Sequence, residues 1–310
     1  MSDIVSISFR EDSFTWLELS KNENDLDIQR AVFQKLPFFI NHKSLNESQT
    51  KSKITESLKK IITNSNLDNR TINLSIPGRF AIIKNIPTDE TLPADGLENL
   101  VNFEFEKLWD ESRQNYHIYL PEQNSTKETA TTLAVAIRKI ILDFFNEVFQ
   151  EVDVKLDSFT LSCFSVEELF RQFFPETTGP SLLLGWQRRG FDAIVTDKEK
   201  FVSYRFQSYN KKFDPIEKIT EFDLANAFSN LLFEIQQPKI LNEPILEIQT
   251  IYNFGYYLKP NWLDFMRNRV QIPINLYNFD ASSKFGLTIS EKKLNPEFVY
   301  KYVEPLSNVF

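Results

Sequence analysis

The chain has 310 residues, 42% hydrophobic and 25% charged, which suits a globular protein with room for two domains and excludes a disordered one. A formal net charge of −8 argues against nucleic acid as a partner, because phosphates need a basic face. A single cysteine and two histidines, His42 and His117, leave too little for a disulfide, a zinc site or a Ser-His-Asp arrangement, so no metal is expected.

In chain order, residues 4–19 alternate apolar and polar positions (Val5, Ile7, Phe9, then Phe14, Trp16, Leu17, Leu19) about the polar stretch 10–13, the pattern of a β-hairpin. Residues 31–40 offer another strand, and 46–64 an amphipathic helix with Ile54, Leu58, Ile61 and Ile62 on one face. Strands follow at 71–76 and 80–86 about Pro77-Gly78. Asp95 is expected to cap a helix running to Trp109, with Leu97, Val101, Phe105 and Leu108 inward. Strands at 116–120 and 131–137 flank a polar loop at 122–128. The stretch 139–152 is strongly helical, with Ile141, Phe144, Phe145, Val148 and Phe149 as its core stripe. A strand at 155–161 precedes a helix opened by a Ser165-Glu168 capping box and running to Phe174.

The turn formers and two prolines of 175–180 mark a boundary, and beyond it the order restarts. Strands 181–185 and 191–196 form a hairpin about 186–190, and 201–207 adds a third. Thr220 and Asp223 open a helix to Gln236; 245–251 is a strand, 260–270 a helix with Trp262, Phe265 and Met266 inward, 272–277 a strand, and Asn295-Pro296 opens a last helix. Both halves begin with a hairpin and continue with alternating helices and strands, which predicts an α/β duplication of two RNase H-like halves, 1–175 and 181–310.

Two features of composition bear on chemistry. Phe numbers 29 and Gly only 7, where ordinary usage gives about 22 glycines. Phosphate-gripping loops rely on Gly to bring backbone N–H groups close to an anion, and this chain has few places to build one. The pairs Glu104/Glu106 and Glu167/Glu168 point apart on their helices and read as solvated faces and caps. Cys163 reads as a buried core thiol, and Arg188-Arg189 and Lys211-Lys212 as solvated turns.

Four stretches carry a resemblance: Trp16-Leu17-Glu18-Leu19-Ser20 at the end of the hairpin; Ile86-Pro87 followed by the helix over 97–109 with Glu104 and Glu106; Ala136-Ile137-Arg138-Lys139 leading into a helix and the strand 154–161; and the helix, Ile-Pro-Ile strand and Asn-Phe of 262–279. Together, over almost the whole chain, they resemble the PilM family, the cytoplasmic actin-like proteins of type IV pilus assembly, and the related cytoplasmic domain of type II secretion L-proteins. The resemblance implies an actin-like fold with a subdomain inserted in the first half, here at about 74–137.

The departures from that pattern are as informative. The family's first phosphate loop, Asp-Ile-Gly-Ser-x-x-x-Lys, places its Asp on Ser8, its Gly on Arg10 and its Lys on Thr15. The second, Asp-x-Gly, falls on Gly185-Trp186-Gln187, and the adenine-side Gly-Gly falls near Phe254. The groups that would hold Mg²⁺ and phosphate are gone, so no cofactor is expected; Arg10 is read as part of a solvated hairpin turn.

The resemblance further implies a non-catalytic scaffold on the inner face of the inner membrane. It would bind the N-terminal cytoplasmic peptide of a bitopic partner in a groove beside the insert, with Phe80, Ile82, Phe103 and Glu106 as candidate contacts, and self-association is an added possibility. The alternatives are a residual ATP-binding ATPase or kinase, or a subunit of a type II secretion-like machine. An L-protein would continue into a membrane span; the end at Phe310 and the lack of a secretory leader favour a separate cytoplasmic subunit.

Overall fold

In a computed structural model of the chain, the alternating residues at the start pair as β1 (Ser2–Phe9) and β2 (Ser13–Lys21), antiparallel, with Ile4 opposite Leu19 and Ile7 opposite Trp16. The structure describes residues 2–22, 25–65, 67, 70–88, 93–108, 112–121, 123–126, 129–197, 200–237, 247–269, 275–280, 286–291 and 296–310. Two compact units emerge: Met1–Phe38, Asn64–Pro77 and Leu156–Phe310 form the first, and Phe39–Thr63 with Gly78–Lys155 the second.

The first unit holds two sheets. In one, β2 also pairs antiparallel with β3 (Asp25–Lys35), while β1 continues in parallel into β4 (Thr71–Ile76) and then β9 (Ser158–Leu161). In the other, β10 (Pro180–Trp186), β11 (Gly190–Asp197) and β12 (Lys200–Ser208) run antiparallel, and β10 continues in parallel into β13 (Thr250–Phe254) and β14 (Asn275–Asn278). The orders β3-β2-β1-β4-β9 and β12-β11-β10-β13-β14 are the same arrangement twice. This is the predicted α/β duplication, written in hydrogen bonds.

Each sheet buries one face under helices. In the second, Leu182, Leu184, Trp186 and Phe191 meet Phe228 and Leu231 of α5 (Glu221–Gln236) and Met266 of α6 (Pro260–Arg269). Helix α5 opens where expected, with a capping box: Thr220 accepts from the Asp223 amide while Asp223 accepts from the Thr220 amide. The first sheet is completed by the end of the chain. Val299, in a 3₁₀ turn at Pro296–Tyr302, and Leu306, in α7 (Val303–Ser307), pack with Ile4, Leu17, Leu26 and Ile28. Helix α4 (Ser162–Phe173) meets α7 through a Ser307 to Ser165 hydroxyl bond of 2.9 Å.

The second unit is a separate antiparallel sheet in which β8 (Thr129–Arg138) pairs with β5 (Ala81–Thr88), β6 (Tyr116–Tyr119) and β7 (Gln123–Thr126). Leu97, Val101 and Phe105 of α2 (Ala94–Glu106) cover Ile86, Tyr116, Ala134 and Ala136. Helices α1 (Ser48–Ile62) and α3 (Lys139–Glu151) complete the unit, joined by Lys51, which pairs with Glu147 at 3.1 Å and Glu151 at 3.0 Å.

Several boundaries differ from the sequence reading. Strand β3 begins at Asp25, because Asp25, Asp27 and Gln29 alternate with buried Leu26 and Ile28 and dilute the apolar signal. Helix α2 has Pro93 at its N-cap, with Asp95 in the first turn, and it ends at Glu106, leaving Leu108 exposed. The polar loop at 122–128 contains β7, which backbone pairing holds without any apolar pattern. Ser165 opens no helix: α4 has begun at Ser162, and the Ser165 hydroxyl donates back to the Ser162 carbonyl at 3.3 Å. Strands β13 and β14 lie later than 245–251 and 272–277; residues 245, 246 and 272–274, like Asn295, fall outside the described residues. Strand β15 (Gly286–Ile289), parallel to β3, was not anticipated.

Candidate functional site

The β1–β2 hairpin ends in four consecutive polar residues, and a solvated turn is what their chemistry suggests. The structure overturns that: Arg10, Glu11, Asp12 and Ser13 are each no more than 1% exposed. They are buried because the equivalent turn of the β10–β11 hairpin, residues 187–189, meets them with complementary charge. Arg189 grips Glu11 with both arms of its guanidinium, Nε to Oε1 at 2.8 Å and Nη2 to Oε2 at 2.5 Å, a planar fork-on-fork contact that lysine could not make. Arg188 Nη1 reaches Asp12 Oδ2 at 3.3 Å, and the Tyr257 hydroxyl donates to the same oxygen at 2.6 Å. Arg188 and Arg189 are therefore paired cations, not the solvated turn expected of them.

Arg10 sits at the centre. Its Nη1 donates to Thr15 Oγ1 at 2.9 Å and its Nη2 is ion-paired with Glu304 of α7. Glu304, itself buried, accepts a second bond on Oε1 from Gln187 Nε2 at 2.7 Å. Thus two positions assigned by resemblance to phosphate loops, Arg10 and Gln187, converge on one carboxylate, and a third, Thr15, holds Arg10 in place. Beside them, Phe33 and Tyr256 stack face to face, with ring centroids 3.7 Å apart and planes within 3°. The electrostatics agree with the geometry. Burial and the neighbouring Asp12 push the Tyr257 hydroxyl far above its usual range, so it remains a donor. Burial works against the charge on Arg188, but Glu217 and Asp12 outweigh it and raise its pKa.

The remaining loop positions are filled too. Ser8 is fully buried within β1. At Gly185 a Cβ would lie 2.7 Å from Cζ of Phe254, and the Phe254 ring, 1% exposed, stands edge-on to Phe279. The glycine's open side is thus taken by a phenyl ring. These residues do not suit a nucleotide phosphate. Three guanidinium groups are each committed to a carboxylate, and an incoming phosphate would meet Glu11, Asp12 and Glu304 in a nearly water-free space, where like charges repel strongly.

The other predicted contacts lie in the second unit. Ile82 packs against the core under α2, Phe80 is half-buried in a 3₁₀ turn, and Phe103 and Glu106 are exposed on α2, with Lys107 over the Phe103 ring at 4.2 Å. Glu104 turns away from Glu106 to Lys107 and Lys84, which lower its pKa to about 2. Glu167 is a correction to the solvated-face reading: it is buried, accepting from Thr196 Oγ1 at 2.8 Å and paired with Arg171, while Glu168 is exposed. Cys163 is buried, as expected, and burial raises its thiol pKa well above the usual value.

A feature absent from the sequence reading is a groove of about 740 Å³ in the second unit, where the N-terminal ends of α1 and α3 approach. Its rim carries His42, Lys51, Lys139 and Arg138 against Asp143 and Glu147, over a floor that includes buried Leu45 and Phe144. Arg138 is steadied by Tyr116, whose hydroxyl accepts from its Nε at 3.0 Å. Only the helical period of α3, which separates Phe144 from Asp143 and Glu147, hinted at such a mixed surface.

No protein-family model matches the chain, and no curated protein matches it. Solved structures do. The PilM–PilN type IV pilus biogenesis complex aligns over 98% of this chain and 97% of that one, at TM-score 0.72 and 11% identity. The cytoplasmic domain of EpsL, an inner-membrane component of the type II secretion system of Vibrio cholerae, aligns over 82% of each chain at TM-score 0.52 and 9% identity. A Bacteroides thetaiotaomicron protein with an actin-like ATPase fold aligns over 90% of this chain and 91% of that one, at TM-score 0.51 and 11% identity. With its duplicated sheet and separate antiparallel unit, the chain has the actin-like fold.

Proposed function

We propose that the chain is a non-catalytic actin-like scaffold of an envelope machine of the pilus or secretion type. It would act at the inner face of the inner membrane by holding the short cytoplasmic tail of a bitopic membrane protein. The observation that carries the reading is the buried Arg10–Glu304 pair, with Gln187 and Thr15 around it. A fold that elsewhere grips phosphate has here turned its two turns toward each other. No helix among the described residues is long and apolar enough to cross a membrane, so a membrane role would run through the partner. Likeness in fold to a PilM–PilN complex and to an inner-membrane component supports the same direction. The proposal keeps the division into halves 1–175 and 181–310, with the insert at 74–137.

The groove between α1 and α3 is the surface we favour for the tail. Its apolar floor and mixed-charge rim suit an extended peptide that carries both kinds of side chain. Each contact is weak alone, and tethering of the partner in the membrane raises its effective concentration. Phe80, Ile82, Phe103 and Glu106 remain candidate contacts as well, of which Phe103 and Glu106 are exposed in the structure.

Two measurements test the reading. Millimolar magnesium nucleotide is expected to leave the melting temperature unchanged; a saturable rise, as mass action gives for any native-state ligand, would overturn the non-catalytic scaffold. The tagged chain is expected to recover a bitopic protein from detergent-solubilised membranes, and the Lys139→Glu, Asp143→Lys double variant to lose it. Recovery that survives those charge reversals moves the site elsewhere, and Phe103→Ala, expected to weaken binding by about 1–3 kcal/mol if it is an anchor, then becomes the next probe.

A further inference from the structure

We propose that the segment around Glu304 is an internal ligand: its carboxylate occupies a preformed anion site made by Gln187 and by Arg10, which Thr15 holds in place, and it joins the two hairpin turns. The site is built from side chains that converge. Arg10 and Glu304 are 1% and 3% exposed at their side chains, and Glu304 has a partner at each oxygen, an ion pair with the guanidinium at Oε2 and a hydrogen bond from Gln187 Nε2 at Oε1. Arg10 is fixed in turn by Thr15 Oγ1 and by its own amide, which donates to the Ser13 carbonyl at 2.8 Å. Gln187 is fixed by a backbone bond from its amide to the Gly190 carbonyl at 3.0 Å and by the Tyr209 hydroxyl on its own carbonyl at 2.8 Å. Acceptor and donors therefore come from different elements, and each donor is held in place without the carboxylate.

The carboxylate is delivered with equal care. Around Glu304, the Ser6 hydroxyl donates to the Pro305 carbonyl, Asn308 Nδ2 donates to Ser6 Oγ at 3.1 Å and Ser75 Oγ at 3.0 Å, Asn73 donates to the Asn308 carbonyl at 2.7 Å, and Lys21 caps the Val309 carbonyl at 2.9 Å. The segment is threaded onto β1 and β4 by polar bonds and delivers a single charge to Arg10. A bound anion in this place would bridge the two turns only while it stayed; a tethered one bridges them permanently, because tethering removes the concentration dependence of the bond. This inference concerns the first unit alone and does not rest on the groove or its occupant.

Removing the carboxylate while keeping the donors should leave an empty anion site, so the test is chemical rescue. In Glu304→Ala the melting temperature is expected to fall by roughly 6–10 °C, the size set by stranding a buried charge in a chain this large. Sodium acetate or inorganic phosphate should return at least half of that loss with a saturating dependence, while sodium chloride at matched ionic strength should not. The Arg10→Ala, Glu304→Ala double variant, which lacks the principal donor, should show no anion-specific gain. A Glu304→Ala protein whose stability rises equally in chloride and acetate, or whose gain persists without Arg10, overturns the proposal. If Glu304→Ala does not fold, the cycle of Arg10→Gln and Glu304→Gln decides. A double variant more stable than either single one supports an internal ligand, and additive losses overturn it.

Discussion

Replacing Gly185 by alanine adds one methyl group at a backbone position any residue can adopt, so its cost reports only what surrounds it. The added Cβ would stand 2.7 Å from Cζ and 2.9 Å from Cε2 of Phe254, and 3.3 Å from Cβ of Asp192. The phenyl ring cannot simply step aside: it is 1% exposed and set at 90° to Phe279, 6.3 Å away between centroids. Overpacking of this kind costs about 1–3 kcal/mol. Phe254→Ala alone should cost about 3–5 kcal/mol, as a buried phenyl group usually does. In the Phe254→Ala background the methyl enters the space the ring has left, and Gly185→Ala should then cost close to nothing. Equilibrium unfolding in guanidinium chloride of the four proteins gives the coupling, expected at about 1–3 kcal/mol. Equal costs of Gly185→Ala in the two backgrounds, additive to within about 0.5 kcal/mol, would refute the idea that Phe254 fills the second turn's point of close approach.

Two further outcomes follow from the charges. Arg189→Met leaves Glu11, 1% exposed, without its bidentate partner, and should destabilise by about 2–3 kcal/mol, less than the full cost of a wholly buried pair because Arg189 itself is 24% exposed. Arg205→Met, which breaks an exposed pair with Glu234, should cost under about 1 kcal/mol by the same denaturation assay; similar losses at both sites would contradict the burial argument. Glu18 tests pH. Burial alone would raise its pKa, but bonds from Ser65, Arg30 and Trp16 outweigh that and lower it below the usual carboxylate value. Its contribution to stability is therefore present above that value and is lost as pH falls through the depressed folded-state pKa. Glu18→Gln should flatten the acid side of the stability profile below about pH 4.5, and an unchanged slope there would count against the cluster.

The duplication was legible because strand alternation and the restart after Pro180 are local signals, repeated in each half. Helix α3 was legible for the same reason: Ile141, Phe144, Phe145, Val148 and Phe149 keep one face, and all five are buried. The buried cluster at the two turns was legible only by subtraction. Comparing Ser8, Arg10, Thr15 and Gly185 with a phosphate-loop pattern reveals what is missing, but nothing near Arg10 in sequence points to Glu304, 294 positions away. Likewise the run 10–13 looks solvated because its chemistry is polar; its burial depends on Arg188 and Arg189, whose own residues look like another exposed turn. Charge complementarity between distant segments leaves no period in either one. Strand β7 escaped for a related reason, since backbone pairing rather than apolar spacing holds it in place, whereas β15 packs Leu287 and Ile289 on the core but offers only four residues of alternation.

The return of residues 286–291 and 296–309 to the first sheet has a consequence for how the protein comes to be made. Strand β15 lies on β3, and Val299, Leu306 and Val309 share a core with Ile4, Leu17 and Leu19. Strands β1 and β2 therefore leave the ribosome well before the segments that close their apolar face. Contacts of such long sequence separation slow folding, and an open apolar face is prone to aggregation while it lasts. Nascent chains halted after residue 180 should hold a hairpin and helices with an unclosed face, and should depend on a chaperone until the segments from β15 onward arrive.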